Sequence, residues 1–160
     1  MKAFLLVLAA AGAFVWLSSG GLPPVVASHF GPGGAANGFM GKGSYIALMI
    51  GLVVVVPALV ASSTQVVRLL PPQLINLPNR QYWLAPERRT ATFEALASLS
   101  LRFAIALAVF LCFVHWLVVR ANAVQPARLA ESWFLVGLAV FGAATLVWLV
   151  ALFRRFGRVA

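Results

Sequence analysis

Four apolar stretches constrain this chain more than any other feature: Ala3–Leu22, Ser44–Ser63, Leu99–Val119 and Ser132–Phe153, each of about 20 residues. At ~1.5 Å rise per residue, a helix of that length crosses the ~30 Å hydrocarbon core of a bilayer. None of the four contains an acid, and Arg102 is their only full charge, one turn from its helix end. Lipid offers no partner to a backbone N–H or C=O, so each segment must satisfy its own, which selects helix over open strand. The Val53–Val56 run would read as strand in water; in lipid its length decides for helix. The expected fold is all-α: an integral membrane bundle of four transmembrane helices (about 3–22, 44–63, 99–119 and 132–153) forming a single membrane domain, residues 1–160. The first block also carries marks of a secretory signal: Lys2, an apolar core Ala3–Leu17, Pro23-Pro24 and Val25-Val26-Ala27. Its length favours a span, and cleavage would leave three helices without inverting any.

Composition agrees with a lipid environment. Hydrophobic residues make up 62% and charged residues 9%, with mean hydropathy +0.98; a soluble domain carries about 25% charged residues. Net charge is +9, from 12 Lys and Arg against Glu87, Glu94 and Glu131, with no Asp. The cations fall between apolar blocks instead of along a face or groove, so they point to membrane orientation and not to nucleic acid. With the amino end inside, Lys2, Arg68, Arg80, Arg88, Arg89, Arg102, Arg154, Arg155 and Arg158 are cytoplasmic. Only Lys42, Arg120 and Arg128 lie outside, so the expected topology is N-in/C-in. Trp16, Tyr45, Trp116 and Trp133 are placed near the outer interface, and Tyr82, Trp83 and Trp148 near the inner one. Cys112, the single cysteine, permits no intrachain disulfide. Small residues repeat at four-residue spacing in Ala9/Ala13, Ser100-Ala104-Ala108 and Ala139/Ala143, with Gly137 and Gly142 as further points of close helix approach. Pro57 is expected to bend the second helix.

Two loops carry the rest of the information. The extracytoplasmic segment 23–43 holds six glycines and three prolines, a composition that makes turns and not a packed domain. His29, Phe30, Asn37, Phe39 and Lys42 interrupt it, so it is no plain linker, and His29, Phe30, Asn37 and Lys42 are its candidate ligand-binding residues. Gly41-Lys42-Gly43-Ser44 lacks the strand and spacing of a phosphate-binding loop. The cytoplasmic segment 64–98 is denser. Pro86 followed by Glu87 is a helix start, predicting a helix from Pro86 through the third span. Tyr82 and Trp83 suit the interface, so 78–84 is expected to fold back as an interfacial segment, with Arg88 and Arg89 at lipid head groups. Asn79, Tyr82, Trp83, Glu87, Arg88 and Arg89 form the motif of this loop, either as anchor or as a dock for a partner.

The outer run Leu22-Pro-Pro-Val, His29-Phe30-Gly, Gly34, Asn37-Gly38-Phe39 and Lys42 resembles the loop of the SdpI-like membrane proteins, in their uncharacterised amino-terminal domain. The inner run Leu77-Pro-Asn-Arg-Gln-Tyr-Trp-Leu-Ala-Pro-Glu-Arg-Arg89 is similar to a segment of small bacterial members of that group, and the two together cover roughly Met1 to Leu96. The resemblance implies a multi-pass protein of the bacterial cytoplasmic (inner) membrane with His29 outside. Some SdpI-like proteins confer immunity to a secreted toxin. The carboxyl-terminal domain of that family, with its Asn, Gly and Arg-Thr signature, is not recognisable here, since Arg89-Thr90 follows Glu-Arg instead. The immunity activity is therefore not carried over directly.

Catalytic chemistry is not expected, since the chain has no paired carboxylates, no Gly-x-Ser-x-Gly, no His-Glu-x-x-His and no cysteine pair. With no acid in the apolar stretches, a small ion-coupled transporter is disfavoured as well. No cofactor is expected. The one constellation of interest is His29 with His115, both placed on the outer side, with Glu131 as a weaker third group. Together they are candidates for a shared transition metal or a pH response. The readings carried forward are a non-enzymatic binding, sensing or immunity-type protein acting through its outer loop, and a structural or accessory subunit of a larger membrane complex. The expected partners are the lipid bilayer and a membrane protein or a second copy.

Overall fold

Each apolar block folds as a helix, and punctuation in the sequence sets where each one stops. The computed structural model describes residues Lys2–Arg158; the outermost residues of the expected 1–160 domain lie outside the described ones. Helix α1 is Lys2–Ser18, closed by a 3₁₀ turn Ser19–Gly21 ahead of Pro23-Pro24. Strands β1 (Val25–Phe30) and β2 (Ala36–Gly41) follow. Helix α2 (Lys42–Ile50), a π-helical turn Gly51–Val55 and α3 (Val56–Val67) then make one continuous span. A one-turn helix α4 (Arg80–Trp83) precedes α5 (Pro86–Asn122) and α6 (Glu131–Phe156). Among the described residues, four helical stretches are long and apolar enough to cross a membrane.

Where a bend at Pro57 is expected, the structure has a π turn just before it. Proline has no N–H to return to the carbonyl four residues back. The turn just before it widens the register, and the Val56 N–H donates to the Gly51 carbonyl five residues back. Helix α5 begins at Pro86 with Glu87 in its first turn, as expected, and runs for 37 residues. At ~1.5 Å per residue it is ~55 Å long, well beyond the ~30 Å apolar core.

Helix α5 is central and touches α1, α3, α6 and β1. Ala104 and Ala108 are fully buried in it, so the expected small-residue seam is present there. Ala9 and Ala13 face outward instead. Phe4, Leu8, Ala11 and Val15, spaced four, three and four apart, turn the opposite stripe of α1 inward. Ala139 and Ala143 are likewise exposed. Helix α6 meets α5 through Gly137, where an added Cβ would collide with the Phe113 ring, and through Phe141 stacked on Phe110 at 4.6 Å.

The largest correction falls on segment 23–43, which is not a run of turns. It is an antiparallel hairpin with Val25 opposite Gly41 and Val26 opposite Met40, and irregular register around His29. The β-branched Val25-Val26 pair favours strand, and the 3₁₀ turn Pro32–Gly34 reverses the chain through left-handed Gly33 and Gly34. The protein is mostly helical, with this one small sheet closing one end of the bundle among the described residues.

Candidate functional site

The hairpin is pinned at three points by side chains bonded to backbone. Asn122, in the last turn of α5, faces β1 and pairs with Ala27 in both directions. Its Oδ1 accepts from the Ala27 N–H and its Nδ2 donates to the Ala27 carbonyl, each at 2.9 Å. The amide thereby replaces one rung of the missing neighbour strand. Arg128 Nε donates to the Gly33 carbonyl at 3.0 Å, while the Gly33 N–H donates to Glu131 Oε2 at 3.0 Å. The Leu129 N–H adds a bond to the Gly34 carbonyl at 2.8 Å. Lys42 Nζ donates to the carbonyls of Gly20 and Leu22 at 2.8 and 3.1 Å, closing orphan acceptors just beyond the end of α1.

These bonds reassign some of the expected ligand residues. Lys42 is engaged as a cap. Phe30 is half-buried against the core cluster under the hairpin. His29 and Asn37 stay exposed and bond to each other across the strands, Nδ1 to Oδ1 at 2.5 Å. Gly38 sits opposite His29, and a Cβ there would lie 2.8 Å from that of His29. Two clefts flank the hairpin. One, of 460 Å³, is lined by His29, Phe30, Glu131 and Phe134; the other, of 670 Å³, by Val25, Phe39, Asn122 and Arg128.

His115 does not join His29. It is fully buried, seven residues before the end of α5 instead of at an interface, and both ring nitrogens are bonded within the bundle. Ser18 Oγ lies 2.6 Å from the Phe14 carbonyl, which can only accept, so the hydroxyl donates there. Its lone pairs are left for His115 Nε2–H at 2.9 Å, and Nδ1 accepts from the Tyr45 hydroxyl at 2.9 Å. The tautomer follows from that network. Phe14 packs edge-on to the imidazole and Tyr45 lies over it. No ring nitrogen remains for a metal shared with His29. Among the described residues no group of three His, Cys, Asp or Glu side chains is placed to hold one. The serine proton is committed to a carbonyl, so the Ser18–His115 pair is not set as a base-activated nucleophile. The trio locks α1, α2 and α5 together. Tyr45, expected at the interface, is buried for this reason. The adjacent Ser19 Oγ is the one buried side-chain polar atom without a partner among the described residues.

At the opposite end, residues 75–84 of the 64–98 segment close over the end of α6. Asn79, with left-handed backbone (φ 52°), donates through Nδ2 to the Phe156 carbonyl at 3.1 Å, and Trp83 Nε1 donates to the same carbonyl at 2.9 Å. Thr92 Oγ1 bonds the Trp83 carbonyl at 2.8 Å. Ile75, Leu77, Leu84, Phe93 and Phe156 form a core beneath. Arg88 stacks over Tyr82 at 4.0 Å, and Arg155 over Trp83 at 5.9 Å. Glu87 is exposed in the first turn of α5. Sequence reasoning missed Ser18, Tyr45, Asn122 and Arg128. Asn122 carried the only available signal, a lone amide at the end of a long apolar run. Comparison with protein-family models, with curated proteins and with solved structures finds no match.

Proposed function

We propose that this chain is a non-enzymatic, multi-pass protein of the bacterial inner membrane that binds an envelope ligand or toxin-like peptide at its hairpin end. In this reading both termini are cytoplasmic, the hairpin end is outside and the protein is a small SdpI-like member. The single observation that carries it is the pinning of the hairpin. Asn122, Lys42, Arg128 and Glu131 hold a preformed surface with His29, Asn37 and Phe39 exposed and a cleft on either side. Preorganised loops bind with less ordering loss than flexible ones. The nine-to-three distribution of cations and the motif resemblance support the orientation and the family.

A second reading is an accessory subunit packed on a larger membrane complex. What favours it is α6, which buries only Phe156 among its described residues and leaves an apolar groove beside α5, lined by Phe110, Phe113, Trp133 and Phe141. Purification in mild detergent separates the two. The first reading predicts a monomer or homodimer whose bound peptide is lost about tenfold in His29→Ala with Phe39→Ala, the scale of losing an aromatic anchor. A stoichiometric large partner, unaffected by those substitutions, would replace it with the second.

A further inference from the structure

Two arginines from different elements converge on one buried ring at the arginine-rich end. Arg68, just past α3, and Arg89, in the first turn of α5, each place their guanidinium carbon 5.7 Å from the centroid of Phe93. Phe93 is 1% exposed, buried in the apolar cluster of this end with the two guanidinium groups against its ring. Arg89 Nη2 also donates to the Arg68 carbonyl at 3.1 Å, which fixes its side chain. The nearby carboxylates, Glu87 and Glu94, are exposed, and among the described residues neither accepts a hydrogen bond from these arginines. Two cations held on one ring with no carboxylate bonded to them favour an anion nearby. Stacking on the ring leaves guanidinium edge donors free for oxygen acceptors.

The surroundings identify the anion. Phe93 lies six residues before Leu99, ~9 Å below the start of the apolar stretch at ~1.5 Å per residue, the depth of a head-group layer. Val67, Leu70 and Leu96 pack with Phe93 in the same cluster, and the same three side chains wall an apolar groove of 270 Å³. Arg68 follows Val67 of that wall directly in the chain, and a cation flanking an apolar groove fits an amphiphile better than a free ion.

We propose that Arg68 and Arg89, stacked on Phe93, bind the phosphate of one anionic phospholipid whose acyl chain enters the groove walled by Val67, Leu70 and Leu96. The proposal rests on placement of the chain in a bilayer but not on the ligand proposed for the hairpin end, nor on which end is cytoplasmic. The phosphate accepts bidentate bonds from the two forks, and no covalent change is involved.

The test is native mass spectrometry of the full chain from mixed micelles holding equal phosphatidylglycerol and phosphatidylcholine. The wild type retains phosphatidylglycerol about tenfold over phosphatidylcholine, and Arg68→Lys with Arg89→Lys, which keeps the charge but loses the fork, brings the ratio to about two. Lys2→Gln with Arg158→Gln removes two charges elsewhere and leaves the ratio near the wild-type value. An equal fall in that control means diffuse charge attraction and overturns the site. Loss of the retained lipid to 100 mM inorganic phosphate, with no preference between the lipids, means a free-phosphate site and overturns the lipid assignment. Should the lysine variant fail to fold, the wild type alone decides: no stabilisation by phosphatidylglycerol over phosphatidylcholine in thermal unfolding defeats the proposal.

Discussion

The two ends of the bundle meet the same requirement with different chemistry. Both must satisfy backbone groups left over where helices stop. At the hairpin end, Asn122 and Lys42 bond directly to main chain, and Arg128 and Glu131 hold the N–H and carbonyl of one glycine. At the arginine-rich end, Trp83 and Asn79 converge on the Phe156 carbonyl while arginines lie over Tyr82, Trp83 and Phe93. The first arrangement fixes strands from the side and leaves a shaped surface whose Lys42, Arg128 and Glu131 charges are tied to main chain. The second fixes a loop through aromatic rings and leaves cations facing out. A rigid surface with its charges held by main chain suits recognition of a ligand, and stacked cations suit anionic head groups.

The largest effect is expected just beneath the hairpin. His115→Ala empties a buried site and orphans the Tyr45 hydroxyl and the Ser18 acceptor, so unfolding in detergent should shift by about 3 kcal/mol or more. Both ends should loosen, because α1, α2 and α5 lose their common link. A shift below about 1 kcal/mol would mean the trio contributes little beyond a typical single bond.

Asn122→Ala comes next and separates the ends. Two bonds to Ala27 vanish, a loss of about 2 kcal/mol. Hydrogen exchange should quicken in residues 25–41 and stay unchanged in 75–93. Equal acceleration at both ends would break the comparison, since it would make the hairpin's stability global and not local.

Trp83→Phe is the mildest. The ring is kept, one of the two bonds to the Phe156 carbonyl is lost, and Asn79 still occupies that acceptor. About 1 kcal/mol is expected, with exchange rising only near α4 and the end of α6. A larger loss would show that the Trp83 N–H, and not the ring, holds this end together.

The helices were legible because length and the absence of acids leave lipid few other solutions, and Pro86 and Pro57 marked a start and a distortion by what proline cannot donate. The hairpin was not, because its glycines and prolines outweighed the Val25-Val26 signal, and because Asn122, which completes β1, is distant in sequence. The His115 site was hidden for a related reason. Nothing local tells which faces of α1, α2 and α5 turn together, so a histidine one turn from the end of the expected span looked interfacial. Ala9 and Ala13 show the same limit: small-residue spacing was present, but the larger stripe of Phe4, Leu8 and Val15 decided the rotation of α1. At the arginine-rich end the sequence singled out Asn79 and Trp83 but not the Phe156 carbonyl that both bond, since a carbonyl has no signature in a sequence.

The central claim is that the two ends lie on opposite sides of a bilayer, the hairpin outside. Thiol labelling in intact cells tests it most directly. The structure also selects the positions, because Asn37, Asn79 and Asn122 each hold a bond that a cysteine would remove. Phe39, Val124 and Gln81 are exposed and are better sites, introduced one at a time with Cys112→Ser. Phe39→Cys and Val124→Cys should react with an impermeant reagent, and Gln81→Cys only after the membrane is opened. Labelling of Gln81→Cys in intact cells, with Phe39→Cys silent, would contradict the account.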